Sequence, residues 1–188
     1  MRQGSTALMT DITKEINSMR FFPDWNRTSG NQVCGLIEMM CDINILRDNE
    51  QLECVEIGSH KGESSLIISS FPFINLLHCV DPYENDDIKE RLKYSRTKIV
   101  FDFSEQYAKI IEDSSIDMVY IDANHDYDTV KRDLKTWSRK VKSGGFICGH
   151  DYNSDAWLGV VQAVDEFADS RNLLIKTYRD SSYMLRQT

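Results

Sequence analysis

The feature that most constrains this chain begins near residue 53, where short apolar runs start to alternate with amphipathic stretches. Cys54-Val55-Glu56-Ile57 reads as a compact strand stopped by Gly58, and Glu63 to Ser70 reads as a helix. Further strands are read at Leu76 to Val80, Lys98 to Phe101, Ile116 to Ile121 and Phe146 to Cys148. Helical stretches run from about Glu84 to Tyr94, from Ser104 to about Glu112 with Ser104 as the cap, and from about Trp157 to Ser170. The clearest helix follows the fourth strand. There Tyr127, Val130, Leu134, Trp137 and Val141 recur at spacings of three and four, and Lys131, Arg132, Lys135, Arg139 and Lys140 fill the other, solvated faces. Gly144-Gly145 is expected to end that helix. Strands that alternate with helices pair in parallel through crossover connections, so the expected fold is an α/β doubly wound sheet. The last two strands, near Leu173–Tyr178 and Ser182–Leu185, lie too close for a crossover helix and are expected to form an antiparallel hairpin.

Residues 1–50 do not continue this pattern and are read as an N-terminal helical extension to a domain spanning 51–188. Leu8, Ile12, Ile16 and Met19 form one apolar stripe, and Val33, Leu36, Ile37, Met40 and Cys41 form a stronger one. The extension fits three roles: a lid, an arm between two copies in a homodimer, or simple packing. Its pattern does not choose among them. No apolar stretch approaches the roughly 20 residues of a membrane helix, and the N-terminus lacks the apolar core of a signal peptide, so a cytoplasmic location without a membrane partner is expected. The five cysteines, at 34, 41, 54, 79 and 148, form no CxxC pair and read as small core residues in a reducing compartment. A formal net charge of −8, from 22 basic and 30 acidic side chains, argues against duplex nucleic acid as a partner.

The chemistry gathers at the ends of the strands. Open parallel sheets bind ligands outside the carboxyl ends of their strands, beside the first one. There Gly58 would let a ligand approach the backbone, and Gly62 would let the turn enter the next helix. The second strand ends in Asp81, placed to accept hydrogen bonds from the vicinal hydroxyls of a ribose. Asp122 after strand four and Asp151 after strand five end on the same rim. Converging carboxylates of this kind make a hard oxygen site suited to Mg²⁺. Trp137 is expected in the core and Trp157 at the edge of a substrate pocket.

Val55-Glu56-Ile57-Gly58-Ser59-His60-Lys61-Gly62-Glu63-Ser64 resembles the first motif of class I S-adenosylmethionine-dependent methyltransferases, in the variant of small-molecule O-methyltransferases. Ile121 to Tyr127, Lys142 to Tyr152 and Gly159 to Phe167 resemble later segments of the same group, so the resemblance covers about residues 53–188. It implies a Rossmann-like seven-stranded sheet, mostly parallel with an antiparallel last strand. It also implies that Glu56, Gly58, Ser59 and Gly62 surround the methionine end of the cofactor. Asp81 would hold its ribose, and Asp102, Phe103 and Ser104 its adenine edge. Asp122 would contact the cofactor or, with Asp151, hold a metal, as in catechol-type and macrolide-sugar O-methyltransferases. Two departures stand out: His60 occupies a position where the commonest motif has glycine, and Tyr152 stands where those enzymes commonly carry a further metal ligand. His125 occupies the offset of the lysine base of catechol-type enzymes, and a histidine with a pKa near ~6.5 can accept a proton at neutral pH. His150, Tyr152 and Trp157 are expected to meet the acceptor.

The leading expectation is methyl transfer from S-adenosylmethionine to a hydroxyl of a small molecule, a sugar or a phenol, with Asp122, His125 and Asp151 as catalytic residues and Mg²⁺ as a second cofactor. The alternatives are a methyltransferase acting on protein or nucleic acid, a protein that binds S-adenosylmethionine without catalysis, and a nicotinamide-dependent oxidoreductase. The last is disfavoured because the first turn lacks Gly-x-Gly-x-x-Gly.

Overall fold

The computed structural model describes residues 34–47, 51–153 and 155–188. The elements run α1 (Cys34–Leu46), β1 (Leu52–Ile57), α2 (Glu63–Ser70), β2 (Ile74–Val80), α3 (Asp86–Arg91), β3 (Thr97–Val100), α4 (Ser104–Tyr107, prolonged by a 3-10 turn over Ala108–Ile110), β4 (Ile116–Ile121), α5 (Tyr127–Trp137), β5 (Val141–Gly149), α6 (Leu158–Arg171), β6 (Lys176–Thr177) and β7 (Tyr183–Arg186). They form one seven-stranded sheet in the order β3-β2-β1-β4-β5-β7-β6. The pairs among β1 to β5 are parallel. β7 runs antiparallel to both of its neighbours, which makes β6 and β7 the expected hairpin. An antiparallel strand inserted there is foreign to a dinucleotide-binding sheet, which extends in parallel.

Every residue of β4 is buried, as expected of a central strand covered on both faces. One apolar layer packs Leu36, Met40, Ile67, Phe71, Ile88 and Leu92 against the sheet. The opposite layer packs Tyr107, Val130, Leu134, Trp137, Val160 and Val164. α1, α2 and α3 therefore cover one face, and α4, α5 and α6 the other. The stronger N-terminal stripe is thus a core helix, with Leu36, Ile37, Met40 and Cys41 all buried. The stripe from Leu8 to Met19 lies outside the described residues. Cys41, Cys54, Cys79 and Cys148 are free thiols in the core.

Two local expectations change. α5 ends at Trp137 rather than at the glycine pair, and Val141 opens β5. The register between β4 and β5 jumps from Ile116↔Val141 to Met118↔Phe146, so Lys142 to Gly145 bulge out of the ladder. Gly144 takes φ 79°, and a side chain on Gly145 would stand 2.7 Å from the Asp117 carbonyl oxygen, so the glycine pair serves the bulge. Ser104 is not a cap: the residue at the cap position is Phe103, and the Ser104 hydroxyl donates instead to Asp133 on α5 at 2.6 Å.

The β6–β7 turn ties α1 to the sheet. Asp180 accepts the Leu36 N–H at 2.6 Å and the Ser182 N–H at 3.0 Å. A Cβ on Gly35 would fall 1.9 Å from the Asp180 carboxylate, so α1 sits this close only because residue 35 has no side chain. On its other side the turn accepts the Tyr152 N–H through the Ser181 carbonyl at 2.9 Å, which anchors the loop after β5.

Candidate active site

The carboxyl ends of β1, β2, β3 and β4 open onto a cavity of about 640 Å³, a size suited to a cofactor-sized ligand. Its wall includes Gly58, His60, Asp81, Phe103, Ser104, Asp122 and His125. Glu56, Ser59, Gly62, Asp102, His150, Asp151, Tyr152 and Trp157 stand outside that wall.

The loop after β1 is built on left-handed backbone. Gly58, His60 and Gly62 have φ of 89°, 43° and 80°. The position where the commonest motif carries glycine is thus left-handed here too, held by a histidine at a cost of about 1 kcal/mol. Gly58 is required by its neighbour as well as by any ligand: a Cβ would stand 2.1 Å from the Asp122 carbonyl oxygen. Glu56 lies beneath this loop, wholly buried, and accepts hydrogen bonds from the Ser64 hydroxyl at 2.5 Å and from the Ser65 hydroxyl. Burial pushes its carboxyl up to about 7, against the pull of the two hydroxyls. Its place is therefore that of a strut between β1 and the start of α2. Ser59 is also buried, and its hydroxyl has no partner among the described residues.

Asp81 directly follows β2, with each carboxylate oxygen aligned by one backbone amide. The His60 N–H donates to Oδ2 and the Tyr83 N–H to Oδ1, both at 2.9 Å. A carboxylate oxygen can accept more than one bond, so both keep capacity for a ligand. Beyond Asp81 the exposed rings of Tyr83 and Phe103 flank the cavity.

At the opposite end, Asp122, His125 and Asp151 come together, each offering a ligand atom within 4.8 Å of the others. His125 Nε2 lies 2.6 Å from Asp151 Oδ2, and the imidazole stacks on Trp157 with centroids 4.0 Å apart. His150 Nδ1 lies 3.1 Å from the other Asp151 oxygen. Burial raises Asp122 to about 6, although His150 pulls it down. Burial would lower His150, but its hydrogen bond to Asp151 and the fields of Asp122 and Asp151 outweigh that and raise it to about 9. Burial likewise opposes ionisation of Asp151, yet the bond to His150 and the charges of both histidines hold it below the usual range. Asp151 itself sits at φ 62°, a left-handed conformation fixed by the Tyr152 anchor to Ser181. A Cβ on Gly159 would meet the His125 carbonyl oxygen at 2.7 Å, so α6 starts in direct contact with this loop. Tyr152 turns away and donates to Asp165 on α6 at 2.6 Å, whereas Trp157 remains 41% exposed at the rim.

Asp133, Arg132 and Thr129 on α5 also line the cavity, and sequence reasoning missed them. Asp133 left a signal. It stands at the i+3 position between Val130 and Trp137, on the stripe that faces the core, where an unpaired acid is out of place.

Comparison with known proteins places this site in context. The methyltransferase domain family matches residues 55–152, just over half of the 188-residue chain. Uncharacterized protein R132 of Acanthamoeba polyphaga mimivirus is 27% identical over 124 residues, a match covering 58% of this chain and 56% of that protein. The chain thus spans little more than half the length of that relative. A candidate caffeoyl-CoA O-methyltransferase from Staphylococcus aureus superposes with a TM-score of 0.69 at 15% identity, over 97% of this chain and 98% of that one. The 1,6-didemethyltoxoflavin-N1-methyltransferase of Burkholderia thailandensis, solved with 1,6-didemethyltoxoflavin and S-adenosylhomocysteine bound, superposes with a TM-score of 0.63 at 10% identity, over 99% of this chain and 89% of that one. At these identities the likeness shows a shared fold.

Proposed function

This chain belongs to the methyltransferase domain family, on the class I methyltransferase fold, and from that premise we propose that it transfers a methyl group from S-adenosylmethionine to a hydroxyl of a small sugar or phenol-like acceptor. One observation carries the reading: a single cavity runs from a carboxylate aligned for a ribose, Asp81, to His125 at its far end, and Asp151 holds that histidine from outside the lining. The cavity volume and the spare acceptor capacity of Asp81 both fit the cofactor. When bound, S-adenosylmethionine supplies an electrophilic methyl on a sulfonium.

The chain's own part is orientation and proton removal. Asp81 holds the ribose, and Gly58 lets the ligand pass close to β1. His125 is fixed by Asp151 on one ring nitrogen and by Trp157 against its face. The bond to Asp151 favours the tautomer with the proton on Nε2, which leaves Nδ1 free to accept the acceptor's hydroxyl proton. Trp157 offers its remaining surface to an acceptor ring, and His150 supports Asp151 from behind. A hydroxyl positioned in line with the methyl needs little more than this.

His125→Ala should lose activity by roughly 10²-fold or more on a panel of phenols and sugars while keeping near-normal affinity for S-adenosylhomocysteine. If affinity and activity fall together, His125 binds the cofactor and is not the base. The clustering of Asp122, His125 and Asp151 favours a second reading of the same site, in which they would hold a divalent cation that would supply Lewis-acid help to the acceptor. Loss of activity in a chelator and its return with Mg²⁺ or Mn²⁺ would select that reading. Full activity in the chelator would remove it.

A further inference from the structure

Beyond Asp81 and away from His125, the cavity reaches Ser104 on α4 and Asp133 on α5. With the ribose at Asp81 and the chemistry at His125, this is the end left for the base. The proton count there is fixed. The Trp137 indole N–H can only donate, and it donates to Ser104 Oγ at 2.8 Å. Ser104 must then direct its own proton elsewhere, and it donates to Asp133 Oδ1 at 2.6 Å. Neither residue has a proton left to offer. Asp133 is 3% exposed, lines the cavity, and its Oδ2 has no hydrogen-bond partner among the described residues. The other acids nearby are not free in this way. Glu105 is half-exposed and paired with Arg132 at 2.6 Å, and Asp102 lies outside the wall and accepts the Phe103 N–H.

We infer that Asp133 is a specificity-determining residue whose free oxygen accepts a hydrogen bond from the ring amino group of the cofactor's base, so that the site selects adenine over a 6-oxo purine. The inference rests on the cofactor reading above. The buried corner formed by Ser104 and Asp133 offers acceptors alone, while the nearby Arg132 is half-exposed and engaged with Glu105 and Thr129, so the corner welcomes an amino group and repels a carbonyl oxygen in the same place. The chain Trp137 → Ser104 → Asp133 keeps the carboxylate from turning away.

The test is calorimetric binding of S-adenosylhomocysteine against S-inosylhomocysteine, in which an oxygen replaces the amino group and N1 carries a proton. The wild-type protein should prefer the adenine compound by about tenfold or more, the size of one hydrogen bond to a charged group. In Asp133→Asn the amide oxygen is claimed by the Ser104 hydroxyl, and the amide N–H₂ faces the ligand. The preference should then vanish or reverse, with the melting transition and circular dichroism confirming a folded variant. An unchanged preference in Asp133→Asn overturns the assignment. So does a wild-type protein that binds both compounds equally, a measurement that holds even if the variant does not fold. A wild-type protein that binds neither overturns the cofactor reading and this inference with it.

Discussion

Glu56→Gln offers a measurable consequence of the buried strut under the first loop. In the folded protein burial places the Glu56 carboxyl at about 7, against 4.5 for an ordinary glutamate. A raised acid pKa means that the folded state holds the proton more tightly than the unfolded state. Glu56 therefore costs no stability below pH 4.5, costs progressively more between 4.5 and about 7, and carries its full cost above that. At 1.36 kcal/mol per pKa unit the full cost is about 3 kcal/mol. The ionised groups facing it, Asp122 from the end of β4 and Glu63 from α2, act in the same direction, and Ser64 and Ser65 oppose it. Glutamine keeps the shape but not the charge. One serine hydroxyl can still donate to its oxygen, while the other must turn to accept from the amide, at a cost of about 1 kcal/mol at every pH. Urea unfolding followed by circular dichroism should therefore find Glu56→Gln slightly less stable than wild type at pH 4.5 and about 2 kcal/mol more stable at pH 8. The difference between those two differences, about 3 kcal/mol, is the number to measure, because other titrating groups cancel from it. A pH-independent difference would show that Glu56 ionises in the folded protein as easily as in water. A difference of opposite sign would show that the two hydroxyls, rather than burial, govern the carboxyl.

The remaining predictions concern the rim. Asp81→Asn should weaken S-adenosylhomocysteine binding by at least tenfold, because charge-assisted bonds contribute on the order of 1.5–3 kcal/mol each; unchanged calorimetric affinity would remove Asp81 from the ribose site. His60→Gly should raise the unfolding free energy by up to about 1 kcal/mol, because it relieves a left-handed φ of 43° without removing the backbone N–H on Asp81; a loss of stability would mean that the imidazole contributes more than the backbone strain costs. Gly58→Ala should destabilise the fold itself, since its Cβ would meet backbone at 2.1 Å, and thermal melting should show this before any ligand is added. Trp157→Leu should lower turnover more than cofactor affinity, because it frees the His125 ring but leaves Asp81 untouched; equal losses in both would place Trp157 at the cofactor.

The parts legible in the sequence are those that depend on a period or on chain direction. The run Ile116 to Ile121 could only be a strand buried on both faces, and Val130, Leu134 and Trp137 could only be one side of a helix. The strand-end acids Asp81, Asp122 and Asp151 followed from the strands. What stayed hidden depends on contacts between distant residues. Gly144-Gly145 looked like a helix stop because the same dipeptide serves a bulge, and only the pairing of β4 with β5 distinguishes the two uses. Ser104 looked like a cap because its partner, Asp133, lies 29 residues away. The hold of Ser64 and Ser65 on Glu56 was hidden because both serines read as ordinary helix positions. Asp180, which seats α1, gives no local sign at all, since its partner Leu36 is 144 residues distant.

That last contact also bears on the order in which the molecule can mature. β7 enters between β5 and β6, both of which precede it in the chain, and the turn just before it carries Asp180. Until residues 178–186 arrive, β5 has a free edge, α1 has no seat for its first turn, and the loop bearing Asp151 lacks its anchor on Ser181. Contacts of such long sequence separation form late and slowly. A nascent or partly unfolded chain would thus carry a formed β1–β4 sheet with an exposed, apolar β5 edge, open to pairing with another chain. The earliest described helix and the latest strand complete the molecule in one step, and that step also finishes the rim around His125.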